Sequence, residues 1–173
     1  MSHDTLMRWS FIGLVASSVL LYSLDADSSP EMDGTVSIET YCLAKNIYFE
    51  SGNQPLAGKI AVAQVVLNRM EHRSYPKDVC GVIYQSKWRT NWKGNEVPVR
   101  NMCQFSWFCD GKSDEPLDTK TWESSLKLAQ MVLLGYYPDI TEGATHYHSI
   151  MVDPYWNDSL NETVQITDHI FYK

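Results

Sequence analysis

Glu50 stands at the end of an apolar stretch, behind the aromatic pair Tyr48-Phe49 and just ahead of Gly52 and Pro55. A carboxyl group in apolar surroundings keeps its proton to higher pH, which is what a general acid working near neutrality requires. His146 and His148 offer a second chemistry. They are two residues apart, hence on one face of a strand, and with His72 or His169 could ligate zinc. No HExxH accompanies them, and such a pair is more often a polar strand face. A third chemistry starts from Cys42, which with His146 or His148 far downstream has the chain order of a Cys–His hydrolase. The fourth is binding alone, with Trp88, Trp92, Trp107, Trp122 and Trp156 as stacking faces.

The elements that must position these groups follow from periodicity and punctuation. A first helix spans about Ile38 to Glu50, with Tyr41, Ala44/Lys45 and Tyr48 on one stripe and Leu43 and Ile47 beside it. Gly52 is expected to end it in the left-handed conformation. Asn53 is expected to cap a second helix with Pro55 in its first turn. Leu56, Ile60, Ala63, Leu67 and Met70 form its core stripe, and Arg69, His72 and Arg73 suit the negative end of its dipole. A third helix runs from about Thr119 to Leu134, capped by Asp118, stopped by Gly135, with Trp122, Leu126, Ala129 and Leu133 inward. Residues 74–117, rich in Trp, Gly, Asn and Pro, read as a long irregular segment of the kind that carries function. Gly143 to Ile150 is strand-like, and Val164 to Tyr172 alternates as one half-buried strand. Helices followed by a small antiparallel sheet define an α+β domain.

The 173 residues suffice for one domain with a real core. A net charge of −7 argues against nucleic acid or an anionic membrane surface as the main partner. Neither GxxxxGK[ST] nor GxGxxG occurs, so nothing points to nucleotide phosphates. An acidic chain with 6 Trp and 10 Tyr suits a neutral polar ligand such as a carbohydrate, whose ring faces pack on aromatics. Arg8 precedes an uncharged, mostly apolar run from Trp9 to Leu24, shorter than the roughly 20 residues of a comfortable membrane span. Residues 1–24 therefore read as a signal peptide cleaved near Ala26. Leu24 fits a cleavage site poorly, so an uncleaved anchor touching the inner membrane is the alternative. Either reading exports the domain. Residues 25–37 are an acidic, turn-rich linker, and 38–173 are the domain, expected to be a monomer. Cys42, Cys80, Cys103 and Cys109 fit an oxidising compartment. Three pairings are open. The short Cys103–Cys109 interval favours that pair and leaves Cys42 with Cys80, which also argues against a free thiol at Cys42.

Several segments together resemble the SleB-like cell wall hydrolases, which include spore-cortex-lytic enzymes and related peptidoglycan hydrolases. They are Asn46-Ile47-Tyr48-Phe49-Glu50-Ser51-Gly52-Asn53-Gln54, Gly58 through Arg69, Tyr75-Pro76-Lys77-Asp78-Val79-Cys80-Gly81-Val82-Ile83, Cys103-Gln104-Phe105-Ser106-Trp107, Ala144-Thr145-His146-Tyr147-His148 and His169-Ile170-Phe171-Tyr172. Their order makes the likeness far more specific than any one segment. The resemblance implies a lysozyme-like α+β catalytic domain that cuts the glycan strand of peptidoglycan without a metal or other cofactor. It puts the essential acid on Glu50, the Gln-Phe-Ser motif on Gln104, Phe105 and Ser106, and the cleft tyrosine on Tyr147. Family members commonly carry a second acid where this chain has Gln54. A lone Glu50 suits a lytic transglycosylase, in which the muramic acid C6 hydroxyl attacks internally, better than a two-carboxylate hydrolysis. Tyr48, Phe105 and Trp107 are expected as an apolar cleft wall, with Trp156 as a further sugar contact. Asp110, Asp114, Asp153 and Asp168 are the remaining candidates for a second carboxylate.

Overall fold

The computed structural model describes residues 36–173, so the expected export segment and nearly all of the linker lie outside the described residues. Helix α1 is Ile38–Ser51, opened by Ser37, whose side chain accepts from the Thr40 N–H at 3.1 Å. Gly52 ends it differently from expectation, in right-handed geometry at φ −56°. What requires glycine there is a close approach: a Cβ would collide with the Tyr48 carbonyl oxygen and lie 3.2 Å from the Thr121 side chain. Helix α2 is Leu56–Glu71, and its cap is Pro55 without any side-chain hydrogen bond, so Asn53 does not cap it. A short helix, α3 (Val79–Ile83), is capped by Asp78. Helix α4 (Thr119–Leu133) has the expected Asp118 cap, which accepts from the Thr121 N–H, and the expected left-handed Gly135 at φ +77°.

Helix α2 is buried almost all round, with Ala61, Val62, Ala63, Val65 and Val66 at 0% exposure, while Leu56 of the expected stripe is 55% exposed. A single stripe is the wrong pattern because α2 is covered on two sides. Ile60, Ala63 and Val66 join the helical core around Leu43, Ile47, Val82, Ile83 and Val132. Ala61 and Val65 join Ala144 and Phe171 against the sheet.

Residues 74–117 are far more ordered than expected. After α3 comes an antiparallel hairpin of β1 (Ser86–Thr90) and β2 (Glu96–Cys103), then a 3-10 turn at Ser106–Cys109. The Asn91 side chain organises the hairpin turn by accepting from the Lys93 and Asn95 N–H groups at 2.9 and 3.0 Å. Most of β1 is exposed, so no burial alternation marks it in the sequence. Cys42 bonds Cys80 and Cys103 bonds Cys109, the pairing the spacing favoured.

The second sheet has strand order β3-β5-β4, all antiparallel, from β3 (His146–Ser149), β4 (Glu162–Ile166) and β5 (His169–Tyr172). The single strand expected over Val164–Tyr172 is thus a hairpin, broken at Thr167, whose φ is +53°. The α+β class is as expected. Among the described residues no helix is long and apolar enough to cross a membrane.

Candidate active site

Glu50 lies in the last turn of α1, where the helix dipole already disfavours a negative charge. The residue is half-buried and its carboxyl end is withdrawn from water, so burial pushes its pKa above the ordinary carboxylate range. Two groups oppose that shift: the Tyr147 hydroxyl, which donates to Glu50 Oε2 at 2.9 Å, and the positive charge of Arg69. The Tyr147 hydroxyl is itself buried beside Glu50, which drives its pKa well up and keeps it a proton-bearing donor. Tyr147 is held edge-on to His169 at 5.2 Å and against Phe171 at 5.6 Å. The last turn of α1 is pinned from behind: Trp107 Nε1 donates to the buried Asn46 Oδ1 at 3.1 Å, and the Trp107 ring stacks on Phe49 at 4.9 Å.

Arg69 is the residue whose role the sequence conceals. Expected only to suit the negative end of the α2 dipole, it is 5% exposed. Its Nε donates to the Thr145 carbonyl at 2.7 Å, and its guanidinium lies over Tyr75 at 5.4 Å and Phe105 at 5.0 Å. Nη1 is buried without a partner, and among the described residues no carboxylate lies within ion-pair distance of it. A buried cation is costly unless compensated, and the carboxylate whose charge reaches it is Glu50. The readable signal was Arg69 lying between the apolar residues Leu67 and Met70 near the end of α2.

The other expected site residues divide. Gln104 and Ser106 are exposed. Phe105 and Trp107, at 2% and 7% exposure, are core side chains that support the wall from behind, which corrects their placement on its surface. Tyr48 is also corrected. Its hydroxyl accepts from the Leu117 and Asp118 N–H groups at 3.1 and 3.0 Å, so it fixes the start of α4. Trp156 is half-buried, wedged among His146, His148 and Tyr172 at 5.5 to 5.7 Å.

Three of the four candidate second carboxylates are engaged elsewhere. Asp110 pairs with Lys112 at 3.4 Å, Asp153 accepts from Asn157, and Asp168 accepts from Gln54 Nε2 at 3.1 Å. Neither Asp110, Asp114, Asp153 nor Asp168 is among the groups whose charge reaches Glu50. The rival chemistries lose their groups as well. His148 uses both ring nitrogens, one on the Ser149 carbonyl and one on the Tyr172 hydroxyl, each at 2.9 Å. Among the described residues no three His, Cys, Asp or Glu converge as a metal site would need. Cys42 is spent in a disulfide, so it is no nucleophile.

Comparison with known proteins identifies the family and the fold. The sequence pattern described as Cell Wall Hydrolase matches residues 53–172, beginning just past Glu50. Spore cortex-lytic enzyme of Bacillus cereus is 42% identical over 45 residues, 26% of this chain and 17% of that protein. The Bacillus subtilis strain 168 enzyme of the same name is 40% identical over 43 residues, 25% of this chain and 14% of that protein. The matching stretch is thus a small part of those longer relatives. The catalytic domain of Bacillus cereus SleB superposes with a TM-score of 0.54 at 25% identity, covering 81% of this chain and 94% of that one. The catalytic domain of the germination-specific lytic transglycosylase SleB from Bacillus anthracis gives 0.57 at 24% identity, with 82% and 98% covered, a likeness of fold. The shared architecture is lysozyme-like.

Proposed function

The chain belongs to the cell wall hydrolase family, and from that premise we propose that it cuts peptidoglycan glycan strands between N-acetylmuramic acid and N-acetylglucosamine as a lytic transglycosylase. Glu50 is the single acid and then the base. The observation that carries this reading is a buried carboxyl group held by the Tyr147 hydroxyl, with Arg69 as the charge that reaches it and no second carboxylate acting on it. Protonated Glu50 gives its proton to the glycosidic oxygen as the bond to the muramic C1 breaks. The muramic C6 hydroxyl attacks C1 from within the same sugar, and its proton goes to the Glu50 carboxylate. The product is a 1,6-anhydro end, and Glu50 returns protonated for the next cut. Burial supplies the first protonation state, while Tyr147 and Arg69 steady the carboxylate between the two transfers. Gln104 and Ser106 hold the sugars. Residues 38–173 are the catalytic domain, a monomer delivered outside the cytoplasm by residues 1–24 through the 25–37 linker.

The Bacillus anthracis protein named above supports the transglycosylase outcome by analogy of fold. Mass spectrometry of digested peptidoglycan tests it: anhydro-muramic ends are expected. Reducing muramic ends would turn the reading into hydrolysis, and freed stem peptides would overturn glycan cleavage altogether.

A further inference from the structure

An open groove runs between the base of the β1–β2 hairpin and the loop after β3, lined by Gln85, Ser86, Lys87, Met102, Gln104 and Tyr155. Gln85 Oε1 and Ser86 Oγ are buried there without a hydrogen-bond partner in the protein. Such atoms are rare in folded proteins and mark a missing partner. Neither atom touches solvent as it stands, but an amide and a hydroxyl each turn about a single torsion, and that turn brings the group out to an incoming molecule as donor or acceptor. Across the groove Tyr155 is 96% exposed, a full aromatic face with nothing on it. Its neighbour Trp156 is wedged among three rings, which leaves Tyr155 turned outward. Each wall is tied through a chain neighbour to the surroundings of Glu50. Gln104 precedes Phe105, which packs under Arg69, and Trp156 packs on His146, the neighbour of the Tyr147 that holds Glu50.

An aromatic face opposite an amide and a hydroxyl matches an N-acetylated sugar. The C–H face of the ring stacks on tyrosine, while the acetamido and hydroxyl groups meet the polar wall. We propose that this groove is a subsite for one N-acetylhexosamine unit of a strand that Glu50 cuts elsewhere along its length. The proposal rests on the glycan-cleaving reading and extends it to residues outside the Gln-Phe-Ser motif, chiefly Tyr155, Gln85 and Ser86.

The test is binding of an N-acetylglucosamine tetramer to the full chain carrying Glu50→Gln, followed by titration calorimetry. Adding Tyr155→Ala should weaken binding about tenfold, the scale of one aromatic contact. Tyr155 is exposed and supports no core, so the melting temperature should stay unchanged. Ser86→Ala should weaken binding about threefold, the scale of one neutral hydrogen bond. Trp92→Ala, 90% exposed in the turn at the far end of the hairpin, should change nothing. Unaltered affinity in Tyr155→Ala, or an equal loss in Trp92→Ala, overturns the subsite. Product analysis on the unaltered chain decides the reaction separately: no glycan cleavage with tetramer binding intact would sink the reaction and leave the subsite standing.

Discussion

The surroundings of Glu50 and the groove beside the hairpin are opposite kinds of polar environment. At Glu50 water is withdrawn, and the carboxylate meets a hydroxyl donor at 2.9 Å. In the groove two polar atoms lack partners and an aromatic ring stands free. The difference reflects what each region must do. Holding a proton near neutrality requires burial, because desolvation favours the neutral carboxyl. Gripping a polymer requires unmet groups, because a satisfied surface gains little from a ligand. Substitutions on either side should therefore fail in different ways.

The largest effect is expected from Glu50→Gln. Loss of the acid should cut glycan cleavage by roughly a thousandfold, within the usual range for general acids. Stability should move the other way. The folded-state pKa of Glu50 lies above its unfolded value, so ionising it erodes stability as pH rises from the unfolded pKa to the folded one. A neutral amide removes that cost, and the melting temperature at neutral pH should rise. A fall in both activity and melting temperature would break the contrast, since it would make Glu50 a structural group.

Next is the Cys42–Cys80 bond, which joins α1 to α3 behind the buried end. It closes a separation of 38 residues, worth about 4 kcal/mol in the chain-entropy account. Replacing both cysteines by alanine should lower stability by about that much in denaturant titrations, with cleavage by the remaining folded protein largely retained.

How these regions could be read from the sequence follows the same division. Asp118 and Gly135 were legible because capping is local chemistry, settled within a turn of the chain. Glu50 was legible as a carboxylate in apolar company. Arg69 was not, because its burial depends on Thr145, 76 residues away, and on Phe105 folding over it. A cation in the last turn of a helix looks solvent-facing until those partners arrive. The β1–β2 hairpin escaped because most of β1 is exposed, although the Asn and Gly of residues 91–95 signalled a turn. Trp156 drew attention as a tryptophan in an irregular segment beside the motifs, yet Tyr155 is the exposed one. Which of two adjacent aromatics turns outward is set by the sheet it meets, here His146, His148 and Tyr172.

Tyr147→Phe sharpens the buried side. The Tyr147 hydroxyl holds the pKa of Glu50 down against burial, so its loss should raise that pKa further. Activity that needs protonated Glu50 is lost as pH rises through its pKa, so the alkaline limb of kcat/KM should move to higher pH. The plateau should fall about tenfold to a hundredfold, the value of one hydrogen bond to a charged group. A lower plateau with an unmoved limb would mean that Tyr147 does not act through Glu50.

The smallest effect, and the one that most directly separates the two regions, concerns the Cys103–Cys109 bond. It spans only 6 residues, which the chain-entropy account values at about 2 kcal/mol. Cys103 pairs with Ser86 across the hairpin and lies between Met102 and Gln104 of the groove wall. Releasing it loosens the wall that carries the unpartnered Ser86 and Gln85 atoms, while Phe105 and Trp107 inside the loop stay buried against Arg69, Asn46 and Phe49 and keep the last turn of α1 in place. Replacing Cys103 and Cys109 by alanine should therefore raise the apparent KM on glycan strands and leave the alkaline limb set by Glu50 in place. The Cys42 and Cys80 replacement should do the reverse, with a large loss of stability and little change in KM. If both pairs shifted KM and stability in the same proportion, the buried end and the groove would be one cooperative unit, and the division of labour between them would fall.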